Sequence, residues 1–279
     1  LVSVLLFALL SEWVGVYAAF AGAALFAVHP LHTEAVANVV GLSELGAAAA
    51  FLVGCLLYLS LAGTRTSLPR VVLTGGIAVC YMVSLGFKEI GVTLPAVLVL
   101  LAWFDNRDRG RPLSARLWSQ MPLFALLAGT LLTYLVIRRS LLAAVLGDAS
   151  APELAGLTTG GRLITALSLW SEYLRLLLLP LDLSADYGPA VLFPAHSFDA
   201  LAAAGSLILV GCVAGVVALR KKVPPVAIGL ALYLVTILPV SHLVFPAGTI
   251  LGERTLYLPS IGLALVAAGV AGRLGAERL

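Results

Sequence analysis

Residues that could do chemistry lie in short clusters between long apolar runs of this chain. One set of clusters mixes acids, bases and histidines, and these residues are His29, His32 and Glu34, then Lys88 and Glu89, then Arg138 and Arg139, then Asp182, Asp186 and His196, and finally His242, Glu253 and Arg254. Charged groups at membrane depth are costly and mark functional or paired sites. If folding brings this mixed set to one face, it predicts a site for chemistry on an anionic group.

A second set of clusters is rich in arginine and alternates with the first along the chain. Its members are Arg65, Arg70, Arg107, Arg109, Arg111, Arg116, Arg220, Lys221, Lys222, Arg273 and Arg278. Alternating sides of a membrane explain this order, and the positive-inside rule places the arginine set in the cytoplasm. Eleven of the 17 Lys and Arg residues then face the cytoplasm. The other six are disfavoured by the rule, and binding an anion would account for them.

The composition indicates a polytopic membrane protein. Of 279 residues, 61% are hydrophobic and 11% are charged, against about 25% charged in soluble domains. The net charge of +3 reflects loop arginines, so no nucleic-acid partner is expected. The three cysteines lie inside apolar runs and are interpreted as buried hydrophobic residues. The first apolar run, Leu1–Leu10, is shorter than the about 20 residues of a spanning helix, so we expect an N-terminal truncation that cuts into a helix.

Apolar runs predict the elements that must position the chemical residues. Besides the first run they are Trp13–Val28, Leu45–Leu61, Val71–Phe87, Ile90–Phe104, Trp118–Ile137, Ala200–Leu219, Val223–Val240 and Thr255–Gly272. Lipid-facing backbone must satisfy its own hydrogen bonds, so these runs predict helices. The predicted fold is an all-α polytopic membrane helix bundle, a single domain over residues 1–279 with about nine crossings.

The run Leu163–Leu179 is predicted to lie along the non-cytoplasmic interface instead of crossing. Thr165, Ser168, Glu172 and Arg175 recur at spacings that place them in one stripe of a helix. A crossing here would also put Arg220–Lys222 on the opposite side from the Arg107–Arg116 loop. An amphipathic interfacial helix keeps all arginine loops together.

Each cluster also has a purely structural interpretation. Pro30 ends one helix and Thr33 could cap the next, with Glu34 in its first turn. Lys88-Glu89 could be only a turn, and Asp186 only a turn residue. Glu253 and Arg254 could form a surface pair of little energetic value. A metal site of His29, His32 and Glu34 is a weaker alternative, and Glu44 adds an acid near or within the membrane.

Four stretches resemble one known family. They are His29–Tyr58 (HPLHTEAVANVVGLSELGAAAAFLVGCLLY), Phe87–Leu100 (FKEIGVTLPAVLVL), Leu174–Pro189 (LRLLLLPLDLSADYGP) and Gly252–Leu263 (GERTLYLPSIGL). They are similar to the membrane half of the transmembrane and tetratricopeptide-repeat-containing protein O-mannosyltransferases, which have the GT-C glycosyltransferase fold. The resemblance implies transfer of a sugar, mannose by expectation, from a polyprenyl-phosphate donor to a Ser or Thr hydroxyl. It implies a multi-pass protein of the bacterial inner membrane or endoplasmic reticulum, with its site facing the periplasm or lumen.

This sequence departs from the family's pattern in three respects, and each one leads to an expectation about the site. The family has an acidic pair in a large loop after its first helix, and the helix and loop are absent here, so we expect this chain to lack the presumed catalytic base. The family's carboxy-terminal repeats are absent as well. Leu42 also stands where the family often has an arginine after Gly41, which removes a phosphate contact from that position.

The expected site combines carboxylates with cations. The candidate catalytic residues are Glu34, Glu89 and Asp186. The candidate substrate-binding residues are His29, His32, Lys88, Arg138, Arg139, Arg162, Tyr187, Glu253 and Arg254. No metal ligand is assigned, although a divalent cation is considered as a cofactor.

The expected partners are the polyprenyl-phosphate sugar, an acceptor protein and membrane lipid. A transporter or lipid flippase is the alternative, as is a non-catalytic scaffold, but no internal repeat supports transport.

Overall fold

The computed structural model describes residues 1–63, 67–105, 110, 112–142, 151, 154, 156–184, 187, 194–195, 197–244 and 246–276. Throughout this part of the chain the regular structure is helical. The helices are α1 Val2–Leu10, α2 Val16–Val28, α3 Thr33–Ala37, α4 Leu42–Gly63, α5 Ser67–Phe87, α6 Leu94–Phe104, α7 Leu113–Ser119, α8 Met121–Leu142, α9 Thr159–Leu178, α10 Ala200–Leu219, α11 Pro224–Ile237 and α12 Ser260–Ala276. Short 3₁₀ helices at Pro30–His32, Val39–Gly41, Glu89–Thr93, Leu238–Val240 and Glu253–Leu256 connect them. The protein is therefore an all-α membrane bundle.

Local sequence signals set many helix ends. Pro30 follows α2 and opens the first 3₁₀ helix. The Thr158 hydroxyl accepts a hydrogen bond from the N–H of Gly161 and caps α9, and Asp199 caps α10 in the same way. Thr33, by contrast, does not cap α3, because it is the first residue of that helix and His32 is the N-cap residue. That expectation was wrong because the 3₁₀ helix Pro30–His32 runs directly into α3, and the Thr33 hydroxyl donates back to the Pro30 carbonyl.

The helices pack around two adjoining hydrophobic cores. The larger core joins α1, α2, α4, α5, α6, α11 and α12. The smaller core lies under α9 and contains Trp170, Tyr173, Tyr187 and Tyr233. Helices α11 and α12 cross where Gly229 and Gly262 face each other, since a Cβ on either residue would lie within 2.6 Å of the other's carbonyl oxygen. Small residues at such crossings let membrane helices approach closely.

Four helices are long and apolar enough to cross a membrane: Val39–Ala62, Leu68–Phe87, Met121–Leu141 and Ala200–Leu219. Helix α2 passes the same test only together with Pro30–Ala37, across a bend of 52°. Shorter apolar helices cover Glu89–Phe104, Pro224–Val240 and Ser260–Gly275. Each apolar run predicted from the sequence thus contains a helix, and the chain is a multi-pass membrane protein. The total of nine crossings stays a prediction.

Residues of the arginine set gather at one end of the bundle. Arg116 donates to the Asp105 carbonyl just beyond α6, and the Arg220 guanidinium lies 5.7 Å from the centre of the Trp103 ring. Arg273 donates to the Lys222 carbonyl near the end of α12. Since α6 begins beside Lys88 and Glu89, and α12 begins just after Arg254, these three members of the mixed set lie at the opposite end.

Both ends of helix α9 contact the end of the bundle at which Lys88, Glu89 and Arg254 lie. Near its start, the Arg162 guanidinium donates to the His242 carbonyl. Near its end, the Leu177 carbonyl is bonded to His29. Glu172 and Arg175 form a partly exposed ion pair, whereas Thr165 is buried and accepts a hydrogen bond from the N–H of Ala195. The predicted position of α9 in the membrane interface stays a prediction.

Candidate functional site

Three ion pairs form the centre of the candidate site. Arg254 donates to Glu34 twice, from its backbone N–H at 2.9 Å and from its guanidinium at 3.1 Å. The Lys88 ammonium lies 3.0 Å from a carboxylate oxygen of Glu44. The Arg138 guanidinium donates to Glu89 at 2.7 Å. Three acids and three cations from distant parts of the chain therefore meet as neutral pairs.

A tight fold between α3 and α4 positions the first two glutamates. Glu34 lies in the first turn of α3 and Glu44 in the first turn of α4. The chain turns between them through an extended Asn38 and a 3₁₀ helix ending at Gly41. A Cβ on Gly41 would overlap the carbonyl of Ala35. The absence of a side chain at Gly41 thus lets the chain turn tightly between the helices that carry Glu34 and Glu44.

A buried hydrogen bond between α4 and α5 positions Lys88. The Ser84 hydroxyl is fully buried and donates to the Ala47 carbonyl, 3.1 Å away. The N–H of Lys88 donates to the Ser84 carbonyl at the end of α5. These two bonds hold the first residue after α5 over the first turn of α4, where Glu44 lies.

The three pairs form one network, because Glu44 also interacts electrostatically with Arg254 and with Glu89. The side chain of Glu44 is only 2% exposed, whereas that of Lys88 is 27% exposed and that of Arg254 is 26% exposed. Burial is tolerable for a carboxylate that has a cation beside it. The acid therefore lies inside and the cations reach the surface.

Glu89 and Arg138 form the outer pair of the network. Arg138 also donates to the Tyr134 hydroxyl at 2.9 Å. Burial raises the pKa of Glu89, but a hydrogen bond from its own backbone N–H and the Arg138 guanidinium outweigh this and hold the pKa below its usual value. Glu89 is therefore ionised at neutral pH and suited to holding Arg138 in place.

Glu253 connects the loop after α9 to this network. Its buried carboxylate accepts hydrogen bonds from the Tyr187 hydroxyl and from the N–H of Ser184, both at 2.6 Å. Burial, reinforced by the hydrogen bond to Glu253, raises the pKa of Tyr187. The phenol therefore stays protonated and donates a hydrogen bond to the carboxylate of Glu253, the residue next to Arg254.

The two histidines pack beside the Glu34–Arg254 pair but use their ring nitrogens in hydrogen bonds. His29 accepts from the N–H of Leu31 through Nδ1, and its Nε2 is bonded to the Leu177 carbonyl at 3.0 Å. The Nε2 of His32 is bonded to the Ser260 hydroxyl at 2.8 Å. Among the described residues, no group of three or more His, Cys, Asp and Glu could hold a metal ion.

Not every candidate residue belongs to this cluster. Arg139 is exposed on α8 beside Arg138, and Arg162 contacts the His242 loop instead. Asp186 lies outside the described residues. An apolar cavity between α1, α4, α6, α11 and α12 is lined by none of the candidates.

Glu44 belongs to this cluster but is absent from the candidate site residues predicted from the sequence. The sequence flagged it as an acid near the membrane, but its partner Lys88 lies 44 positions away and follows a different helix. Only the packing of α5 on α4 reveals the pair. An acid in the first turn of an otherwise apolar helix was the signal that could have found it.

Comparisons with known proteins identify relatives over most of the chain. It is 30% identical to "Protein O-mannosyl-transferase Tmtc3" of Drosophila melanogaster over 90% of its length, which is 31% of that protein. It is 31% identical to TMTC3 of Mus musculus over 88% of its length, which is 29% of that protein. A shorter match, 40% identical, covers 29% of the chain and 10% of TMTC2 of Homo sapiens. The chain thus spans about three tenths of the length of its first two relatives. No family model and no solved structure matches.

Proposed function

The chain belongs to the TMTC-like protein O-mannosyl-transferase family, and from this we propose that it transfers mannose from a polyprenyl-phosphate donor to a Ser or Thr hydroxyl of an acceptor protein. The reaction takes place on the non-cytoplasmic face, at the end of the bundle that carries the three ion pairs. The relatives' names support the transferase and its protein acceptor. The donor and the face are our proposals.

The observation that carries the proposal is the network of Glu34–Arg254, Lys88–Glu44 and Arg138–Glu89 at one end of a membrane bundle. A donor whose phosphate lies at the membrane surface and whose lipid lies in the bilayer needs cations at that depth. A transporter needs polar groups near the middle of the membrane, whereas these pairs lie at the end of α5, before the start of α6 and near the start of α12.

The cations retain capacity for a phosphate. The Arg254 side chain is 26% exposed and donates to Glu34 from Nη1, and its guanidinium carries further N–H donors. Lys88 has three N–H donors, and Glu44 needs only one of them. Hydrogen bonds from cations to phosphate oxygens are among the strongest in proteins. Arg254 and Lys88 therefore bind the donor phosphate, and Arg138 assists from the outer pair.

The transfer step requires a leaving group and a base. The acceptor oxygen bonds to the anomeric carbon of the sugar, and the bond from that carbon to the phosphate oxygen breaks. The lipid phosphate leaves with the electron pair, and Lys88 and Arg254 stabilise its charge. The hydroxyl proton goes to a carboxylate. Glu34, Glu89 and Asp186 are the candidate carboxylates of this chain for accepting or assisting the transfer of that proton, and the first two are each paired with an arginine.

The test is a transfer assay with the full-length protein reconstituted in liposomes that contain a polyprenyl-phosphate mannose and an acceptor peptide. We expect wild-type protein to mannosylate the peptide, and Lys88→Ala or Arg254→Ala to abolish transfer while the protein stays folded. The matched control is Arg273→Ala, which removes a cation from the opposite end of α12 and should leave transfer intact. Full transfer by both site variants would exclude the phosphate-binding role. Movement of the lipid across the bilayer without transfer would indicate a flippase instead.

A further inference from the structure

We infer that Glu44 is the positioning residue of this site, holding Lys88 in the orientation in which its ammonium group binds the phosphate of the lipid-linked donor. Glu44 touches neither sugar nor phosphate, since its side chain is 2% exposed. It acts through the Lys88 ammonium group, 3.0 Å from its carboxylate. This inference rests on the proposed function, because the anion is the phosphate of the proposed donor.

Geometry distinguishes the Lys88–Glu44 pair from an ordinary surface pair. Exposed pairs contribute little, because solvent screens them and the side chains move. Here the acid is buried and the lysine is partly exposed, so the chain fixes one partner and directs the other outward. A lysine side chain has four rotatable bonds, and anchoring its ammonium group on a rigid carboxylate removes much of that freedom before the anion arrives.

Glu44 also occupies the centre of the network. Both Arg254 and Lys88 interact with it, and Glu89 lies close enough to act on it electrostatically. Two cations that bind one phosphate repel each other, and a nearby carboxylate lowers that repulsion when the site is empty. The Glu44 carboxylate thus orients Lys88 and offsets part of the positive charge of the site.

The test is a binding measurement on the purified full-length protein in detergent, with citronellyl phosphate as a short polyprenyl-phosphate probe and citronellol as its uncharged counterpart. We expect wild-type protein to bind the phosphate and not the alcohol. Glu44→Gln should weaken binding roughly ten- to hundredfold, about as much as Lys88→Met, since the first leaves the Lys88 ammonium without the ion-pair partner that orients it and the second removes the ammonium itself. Glu44→Asp keeps the charge and should recover part of the loss.

A double variant separates positioning from general stability. Replacing a buried pair by apolar residues often preserves folding, so Glu44→Met with Lys88→Met should fold. If Glu44 acts through Lys88, the double variant binds the probe no more weakly than Lys88→Met alone. If Glu44→Met weakened probe binding by the same factor in wild-type protein and in Lys88→Met protein, the inference would be overturned. Normal binding by Glu44→Gln would overturn it as well. Glu12→Gln, at the opposite end of α2, is the matched control and should bind as wild type does.

The binding and transfer assays fail in different ways. If wild-type protein binds the phosphate probe with the expected dependence on Glu44 but transfers no mannose, the proposed function is wrong and the positioning role stands. If wild-type protein transfers mannose and Glu44→Gln does so with an unchanged KM for the donor, the positioning role is wrong and the proposed function stands. Equal binding of phosphate and alcohol by wild-type protein would overturn the positioning role.

Discussion

The three glutamates of the network differ widely in exposure, and exposure decides what each carboxylate can do. The side chain of Glu44 is 2% exposed, that of Glu34 is 11% exposed and that of Glu89 is 56% exposed. A buried carboxylate cannot reach a substrate and acts on its neighbours instead. Glu34 can still contact a ligand at the edge of its pair, and Glu89 can do so freely. Glutamate therefore positions a cation inside the network, in the case of Glu44, and can contact a ligand at its surface, in the case of Glu89.

Tyr187→Phe should destabilise the loop after α9. The variant removes the hydroxyl that donates to the buried Glu253 carboxylate, and a buried charge that loses a hydrogen bond costs about 1.5–3 kcal/mol of unfolding free energy. Thermal unfolding in detergent, together with the rate of proteolysis after residue 180, measures the effect. Tyr17→Phe is the matched control, because that side chain is 89% exposed on α2. An equal response of the two variants would contradict the Glu253–Tyr187 contact.

His242 should make the protein less stable in mild acid. It has a positive φ of 58°, and its ring accepts from the N–H of Ala247 and is bonded to the Ile250 carbonyl. Burial and the nearby Arg162 lower its pKa, and these outweigh the hydrogen bond to Ile250, which raises it. An unfolded histidine titrates near about 6.5, so below that pH the unfolded state takes up a proton that the folded state refuses. Stability is therefore lost as the pH falls.

The measurement for His242 is the midpoint of thermal unfolding at pH 7.5 and at pH 5.5. His242→Gln cannot be protonated, so the difference between the two midpoints should be smaller in the variant than in wild-type protein. The comparison uses each protein as its own reference, which removes any effect of the substitution on stability at neutral pH. An identical difference in both proteins would show that His242 does not contribute.

Residue chemistry could be predicted from the sequence only where it depends on nearby positions. The acids, lysines and arginines of the network were recognised as unusual for an apolar chain, because charge at membrane depth is costly wherever it occurs. Their pairing was not, since Glu34 and Arg254 are 220 positions apart and helix packing alone brings them together. Thr33 shows the local limit, because a threonine ahead of a helix suggests a cap, whereas the preceding 3₁₀ helix makes His32 the N-cap residue and Thr33 the first residue of α3.

At the scale of elements, apolar runs predicted the helices well and their breaks less well. The run Leu45–Leu61 appears as α4, Leu42–Gly63, and Ala200–Leu219 is α10 without change. The segment between α2 and α4 is different, because α3 ends at Ala37 and a separate 3₁₀ helix follows. Such breaks depend on contacts with other elements, here between α3 and the 3₁₀ helix Glu253–Leu256. Hydrophobic patterning does not encode those contacts.

Gly41→Ala should separate the two glutamates at the start of the network. The added methyl group would overlap the Ala35 carbonyl, and backbone on both sides must shift to make room. Overpacking of this kind costs about 1–3 kcal/mol, and the shift displaces Glu34 from Arg254. We therefore expect lower thermal stability together with loss of mannose transfer.

Gly75→Ala is the matched control for Gly41→Ala. Gly75 lies inside α5, and a Cβ there meets no atom within 4 Å. Because alanine favours helix over glycine by about 1 kcal/mol, this variant should be as stable as wild-type protein or more so, with normal transfer. Normal transfer by Gly41→Ala would show that the close approach to Ala35 does not set the geometry of the site.

At the scale of the whole molecule, charge sorts to the two ends of the bundle. Arg116, Arg220 and Arg273 lie at one end, and the ion pairs lie at the other. The order of charge clusters along the sequence predicted this separation, because every crossing reverses the side and each loop keeps its own charge. The side of the membrane that each end faces follows from the positive-inside rule, which we apply as a prediction.

Cysteine labelling in sealed membranes tests that orientation and the position of α9 together. Single cysteines are introduced at Thr33, Leu181 and Lys221, all of which are exposed, after Cys55, Cys80 and Cys212 have been replaced by alanine. A membrane-impermeant maleimide should label Thr33→Cys and Leu181→Cys from the non-cytoplasmic side. It should label Lys221→Cys only after permeabilisation, because the arginine set faces the cytoplasm.

Labelling of Thr33→Cys and Lys221→Cys from the same side would contradict the two-ended arrangement. Labelling of Thr33→Cys and Leu181→Cys from opposite sides would mean that α9 crosses the membrane, and the site would then lose the loop that contains Tyr187.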